Sequence, residues 1–140
     1  MATRLYPTGT RLNDTADVLA QSSDALTALN ATAGTLPAAA ITGGDWVTMI
    51  SSNAAPGTQT TRTALQMFGD DPIAYPGLVF MLRICNSGAG TLTLAAGSGV
   101  TLSGTMTVAT ATFRDFIFAY GGTTALPTVT ITNVGTGTYT

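Results

Sequence analysis

The segment that decides the fold covers residues 86–105 and reads NSGAGTLTLAAGSGVTLSGT. Threonine alternates with leucine or valine in two short runs, residues 91–94 and 100–102, and glycine-rich turns separate the runs. Alternation with a period of two places each residue type on its own face of a β-strand. The segment therefore predicts strands with one aliphatic core face and one face of hydroxyl groups.

The same pattern continues on both sides of this segment. An apolar run precedes it at residues 77–85, and threonine again accompanies aliphatic or aromatic residues in the runs 106–108, 112–120 and 128–132. We predict that residues 77–140 are strands almost throughout. The fold class is then mainly β, with a β-sandwich or jelly-roll-like body, an N-terminal arm and one short helix.

The N-terminal part of the chain has a different character. Residues 1–12 predict an arm without a packed element, and residues 14–30 have the capping residues and apolar spacing of a helix. We therefore divide the chain into residues 1–40, an arm plus helix that docks on a partner, and residues 41–140, the β-sandwich body.

The middle of the chain combines several short patterns. Residues 45–50 predict a strand, residues 51–61 a long polar loop and residues 62–68 a short helix. Residues 69–72, Gly-Asp-Asp-Pro, are strong turn formers. We interpret the glycine-rich residues 97–99 further along as a hairpin turn.

The composition is short of charge. Only 9% of the 140 residues are charged, against about a quarter in an ordinary soluble protein. All five cations are arginine, all seven anions are aspartate, and threonine occupies 28 positions. Strands with few charges pair readily with other chains. We expect other subunits of an assembly to cover the strand edges and much of the outer surface.

The missing residue types exclude most catalytic machinery. Without histidine there is no Ser-His-Asp triad and no Cys-His pair, and without lysine there is no Walker A loop. We predict a protein that is not an enzyme and that has no cofactor and no metal site. The adjacent Asp70 and Asp71 are interpreted as a solvated turn, and a carboxylate enzyme using Asp70, Asp71 or Asp45 is the distant alternative.

Nucleic acid and membranes are poor candidates for a partner. The pI is near 4.5, and no cluster of arginines offers the cations that phosphates need. The longest apolar runs have about a quarter of the roughly 20 residues of a membrane helix. We also expect no secretory signal, because no apolar segment follows the first charged residue.

Three charged residues lie inside predicted strands. Arg83, Arg114 and Asp115 either point outward and discourage edge pairing, or form an Arg–Asp pair between subunits that fixes their register. Cys85 lies in the most hydrophobic stretch and predicts a buried, inert thiol. Trp46 is expected to pack in the core or at an interface rather than to stack on a sugar.

Residues 86–105, continued by residues 108–109 and 112–116, resemble β-structured virion proteins of tailed bacteriophages. The nearest resemblance is to small capsid decoration (cement) proteins and to head-fibre or tail-associated proteins, and it covers roughly residues 78–135. The resemblance implies a homotrimer on the outer face of an icosahedral shell, with the N-terminal segment in contact with the major capsid protein. It assigns no catalytic residue to this chain.

We therefore expect a virion structural protein that decorates a phage head and stabilises it, made in the host cytoplasm and located on the capsid surface. Its expected partners are the major capsid protein and further copies of itself. The alternative is a tail or head-fibre module that recognises a host surface through residues 51–61. The candidate interface residues are Arg4, Leu5, Tyr6, Arg11, Arg83, Arg114 and Asp115.

Overall fold

The computed structural model describes residues 27–29, 32–38, 40, 46–71 and 74–138. These residues contain ten strands and one helix, α1 (Ala64–Asp70). The strands are β1 (Thr27–Ala28), β2 (Ala33–Thr35), β3 (Trp46–Ser51), β4 (Gly57–Thr60), β5 (Val79–Asn86), β6 (Leu92–Ala95), β7 (Val100–Ser103), β8 (Thr107–Val108), β9 (Thr112–Gly122) and β10 (Pro127–Thr138).

The strands form two mixed sheets. One has six strands in the order β1-β3-β5-β9-β10-β7, and the other has four in the order β2-β4-β6-β8. The two sheets enclose a common core, so the prediction of a mainly β, sandwich-like body is confirmed.

The first strands alternate between the two sheets. β1, β3 and β5 run parallel in the six-stranded sheet, and β2, β4 and β6, which follow each of them in the chain, run parallel in the four-stranded sheet. Each strand pair, together with the residues that join it, is called an arc: arc 1 covers residues 27–35, arc 2 residues 46–60 and arc 3 residues 79–95. The arcs stack on one another in both sheets at once.

Arcs 2 and 3 stack in perfect register. Trp46 pairs with Met81 in the six-stranded sheet and Gly57 pairs with Leu92 in the four-stranded sheet, so both partners are 35 residues apart. β8 and β9 form a further arc that runs in the opposite direction, because β9 is antiparallel to β5 and β8 is antiparallel to β6.

The core fills the space between the sheets. Side chains alternate between buried and accessible along β5 and along residues 115–121 of β9, as the period-two pattern predicts. The Phe80 and Phe118 rings lie 4.8 Å apart between their centroids. The inward apolar residues, each at most 4% exposed, are Val47, Met49, Phe80, Leu82, Ile84, Phe116, Phe118, Tyr120, Val129 and Ile131 from the six-stranded sheet and Leu92, Leu94 and Val108 from the four-stranded sheet.

Helix α1 closes one part of this core, where the sequence predicts a short helix. Thr63 is its N-cap: Gln66 N donates to Thr63 Oγ1 at 3.1 Å, and Thr63 N donates to Gln66 Oε1 at 3.0 Å. This reciprocal pair satisfies two backbone donors that the first helical turn leaves unpaired. Met67 is buried, and the Phe68 ring packs against Tyr120 at 4.7 Å between centroids.

The turns of arcs 2 and 3 are in backbone contact. A Cβ atom at Gly88 would lie 2.1 Å from Asn53 O, and one at Gly90 would lie 2.0 Å from Ala55 O. Gly90 N donates to Asn53 O at 3.0 Å. Glycine is therefore required at these two positions by the close approach of the neighbouring turn.

Asn86 holds the turn of arc 3 from inside. Its fully buried side chain donates to Gly90 O at 2.8 Å and to Val108 O at 2.9 Å, and its Oδ1 accepts from Gly88 N at 3.0 Å. One buried amide thus connects the turn of arc 3 with strand β8. An amide with all these partners lies in the core without an unpaired polar group.

Two predictions for the first half of the chain are wrong where the structure describes it. Thr27 and Ala28 form β1 beside Met49 and Ile50 instead of ending a helix over residues 14–30. Residues 51–61 are not a loop throughout, because residues 57–60 form β4. In both places the hydrogen bonds of a neighbouring parallel strand outweigh weak local preferences.

Residues 97–99 do not form the predicted hairpin. They lead from β6 in the four-stranded sheet to β7 at the edge of the six-stranded sheet, where β7 pairs with β10. The remainder of the predicted helix and the arm, residues 1–12, lie outside the described residues. β1 and β2 hydrogen-bond to the sheets of the body, and the division at residues 40 and 41 stays a prediction.

The stacked turns generate a test of the arc arrangement. We expect Gly88→Ala to lower the free energy of unfolding by at least about 2 kcal/mol, because the added methyl group forces the two turns apart. Gly69→Ala is the matched control: Gly69 lies in α1 with nothing within 4 Å of an added Cβ, and alanine there should stabilise by up to about 1 kcal/mol. Urea unfolding of the two variants measures both effects. Equal stabilities would contradict the close stacking of arcs 2 and 3.

Candidate interaction surface

Strands β3, β5 and β9 of the six-stranded sheet present a largely apolar surface on the side that faces away from the core. All its members are partly or fully accessible, and Trp46 and Val79 are 45% and 49% exposed. We call this surface the outer face, and it comprises Trp46, Thr48, Ile50, Val79, Met81, Arg83, Cys85, Phe113, Asp115, Ile117 and Ala119.

Strand register arranges the outer face in rows. Trp46, Met81 and Ile117 are direct cross-strand neighbours on β3, β5 and β9. Cys85 and Phe113 are neighbours in another row. These apolar rows lie on either side of the row that contains the two charged residues of the face.

The two charges neutralise each other within one chain. Arg83 Nε donates to Asp115 Oδ1 at 2.7 Å and Arg83 Nη2 donates to Asp115 Oδ2 at 2.8 Å. This two-pronged geometry suits a guanidinium and a carboxylate. The hydrogen bonds to Asp115 raise the pKa of Arg83 above its ordinary value.

Two aromatic rings enclose the Arg83 guanidinium. Its central carbon lies 4.1 Å from the centroid of the Phe113 ring and 5.2 Å from that of Trp46. Both distances fall within the range of a cation–π interaction. Arg83 is therefore held in place by a carboxylate and two rings before any partner arrives.

The predicted interface residues separate in the structure. Arg83 and Asp115 lie on the outer face, where they pair with each other. One alternative from the sequence is an Arg–Asp pair between subunits; in the structure this pair forms within one chain. Arg114 lies on the opposite side of β9 from Asp115 and donates from Nε to Thr107 O at 2.6 Å and from Nη1 to Asn133 Oδ1 at 2.9 Å. Arg4, Leu5, Tyr6 and Arg11 lie outside the described residues, and an interface role for all seven residues stays a prediction.

Cys85 is partly accessible on the outer face instead of buried as predicted. Desolvation raises the pKa of its thiol above the ordinary 9.0; nearby Arg83 opposes this shift and Asp115 adds to it. The thiol is thus largely protonated at neutral pH.

The interpretation of residues 69–72 as a solvated turn is wrong for Asp71. Asp71 is only 7% exposed, and Asp70 forms an ion pair with Arg62. Burial, followed by the nearby Asp71 carboxylate, raises the pKa of the Tyr120 hydroxyl. The end of helix α1 and the Phe68–Tyr120 contact place Asp71 and Tyr120 in the protein interior. The Asp-Pro sequence predicts only a turn and contains no information on these contacts. Asp45 lies outside the described residues.

A second apolar feature lies beside helix α1. Leu65 and Leu126, 65% and 78% exposed, flank a groove of about 430 Å³ that also involves Ser98 and Pro127. It contains no charged side chain. No pattern in the sequence identifies this groove, because its residues come from three separate segments.

Comparison with known proteins finds no relative, so a proposal for the function has to start from the outer face. No protein-family model matches the chain, and no curated protein and no solved structure is found to be similar to it. Among the residues that the structure describes, no three Cys or Asp side chains are grouped closely enough to hold a metal ion. None of the helical residues described belongs to a helix with the length and hydropathy to cross a membrane.

Cys85 provides a test of the electrostatics of the outer face. We expect the rate of alkylation by iodoacetamide to rise with pH around a midpoint above 9.0. Asp115→Asn should lower the midpoint, because it removes an anion that disfavours the thiolate and frees the Arg83 cation to stabilise it. Arg83→Gln should raise the midpoint by removing that cation. Shifts of the two variants in the same direction would contradict the arrangement.

Proposed function

We propose that this chain is a non-enzymatic virion structural protein. It would be a capsid decoration or cement protein that binds the exterior of a phage head and stabilises it. The observation that carries the proposal is the outer face of the six-stranded sheet. Its side chains are apolar or hydroxylic apart from one ion pair that is already formed. A partly exposed apolar surface of this kind is typical of a chain that works inside an assembly.

The rigidity of the body supports the same proposal. Arcs 2 and 3, stacked in register with glycines in backbone contact and a buried amide across the turn, give a surface that is fixed before binding. Docking a fixed surface loses little conformational entropy. Many identical copies in an assembly would then each contribute the same contact.

The proposed partners are the major capsid protein and two further copies of this chain, which together make a homotrimer on the capsid surface. Residues 1–40 are proposed to reach the shell, with Arg4, Leu5, Tyr6 and Arg11 as anchors. A protein that binds only the assembled shell stabilises it by mass action, as any ligand of a native state does.

The alternative, a tail or head-fibre module that recognises a host surface, depends on residues 51–61 as a binding loop. Part of that segment is strand β4, and its turn stacks on arc 3 through Gly88 and Gly90. The decoration function is therefore the better supported of the two.

Cosedimentation with empty heads of the virus that encodes the chain tests the proposal. We expect saturable binding at a fixed number of copies per head, and heads that lose integrity at a higher temperature when decorated. A variant without residues 1–12 should fold and oligomerise but no longer sediment with heads. Leu126→Ser is the control with the arm intact, and it should bind as the unmodified chain does.

Two results would contradict these expectations. The absence of cosedimentation at any concentration would rule out the decoration function. Undiminished binding of the variant without residues 1–12 would remove the arm from the shell contact.

A further inference from the structure

We infer that the outer face is a self-association surface, which packs against the outer faces of other copies of this chain. The inference rests on the proposed function, since it names the partner of the same surface. Contact with the shell then falls to other parts of the chain.

Charge favours a second copy as the occupant. The face carries one cation and one anion, Arg83 and Asp115, joined at 2.7 and 2.8 Å. A partner with a strongly acidic or basic surface gains no attraction from a face that is neutral, because charge complementarity requires an opposing potential. A copy of the same face is also neutral, and it brings no unpaired charge into the contact.

Desolvation leads to the same conclusion. Burying a charge is strongly unfavourable when its partner is missing, and far less so when the ion pair is complete. Arg83 meets this condition in the free chain, since Asp115 and the rings of Phe113 and Trp46 occupy its surroundings. Two such faces can therefore exclude water without breaking any interaction.

The side chains around the ion pair are those of an interface centre. Trp, Phe, Met and Arg are enriched at the centres of protein interfaces, and Lys and Glu are depleted there. Trp46, Met81 and Phe113 supply these residue types on three adjacent strands. A further copy supplies the same residue types to the contact, so its chemistry matches that of the outer face.

Light scattering on point variants of the full chain tests the inference. The unmodified chain should form an oligomer whose mass is a multiple of 14.2 kDa. Met81→Arg and Val79→Arg each place an unpaired cation on the face. We expect each to weaken association at least about 100-fold and to shift the mass toward that of one chain.

Leu65→Arg is the matched control. Leu65 is more exposed than Val79, at 65% against 49%, and lies in helix α1 beside the apolar groove. The same substitution there should leave the mass unchanged. Circular dichroism of each variant distinguishes loss of association from loss of folding. If Met81→Arg unfolds, Val79→Arg still tests the inference, because Val79 is half exposed and a substitution there should not prevent folding.

Cys85 gives a second readout from within the face. At fixed pH, alkylation should be slow in the oligomer and become several-fold faster on dilution or in Val79→Arg. An unmodified chain that is monomeric at all concentrations would overturn the inference, and so would an oligomer that both face variants leave intact. Head binding is measured separately. If the face variants dissociate the oligomer but the unmodified oligomer does not bind heads, the proposed function is overturned and the self-association surface is not.

Discussion

The stacking of one arc on the next, in register between arcs 2 and 3, is the constraint on which the rest of the structure depends. β1 has two residues and β2 has three, and segments of that length are not stable strands by themselves. They are strands because arc 2 presents a complete row of backbone partners to them. Arc 3 does the same for arc 2, and the buried Asn86 amide connects arc 3 to β8. In the described body, each arc is thus stabilised by backbone hydrogen bonds to the next arc.

The outer face is a product of the same stacking. When strands stack without a shift, residues of like orientation meet their neighbours directly, so rows of side chains cross several strands. Trp46, Met81 and Ile117 form such a row, and the alignment of Arg83 with Asp115 permits their two-pronged pair. A shift of one residue in either ladder would send every side chain of that strand to the other face. The surface and the core are therefore set by a single register.

The sequence predicts those parts of the fold in which a local pattern is strong. The period-two alternation in β5, β6, β7 and β9 and the residues that cap α1 identify those elements. β1, β2 and β4 are rich in Thr, Ala and Gly, and only their neighbours in the stack make them strands. The 35-residue spacing between arcs 2 and 3 is not visible in the sequence of their turns, where Asn53 and Ala55 occupy the positions of Gly88 and Gly90. Arg83 and Asp115 are recognisable in the sequence as charges within strands, but their pairing depends on the register of β5 and β9. The burial of Asp71 depends on contacts with residues that are distant in the sequence.

The two sides of the stack differ in how they accommodate changes of chain length. β3 and β4 are joined by five residues, and so are β5 and β6, because their turns lie directly on each other. The return connections are unequal: ten residues lead from β2 to β3, and eighteen lead from β4 to β5 and include helix α1. Insertions and deletions would therefore be better tolerated in the return connections than in the stacked turns of arcs 2 and 3. Relatives of this chain should vary in length there, and a tag or a label inserted for experiments belongs between helix α1 and β5, because α1 itself packs on the core.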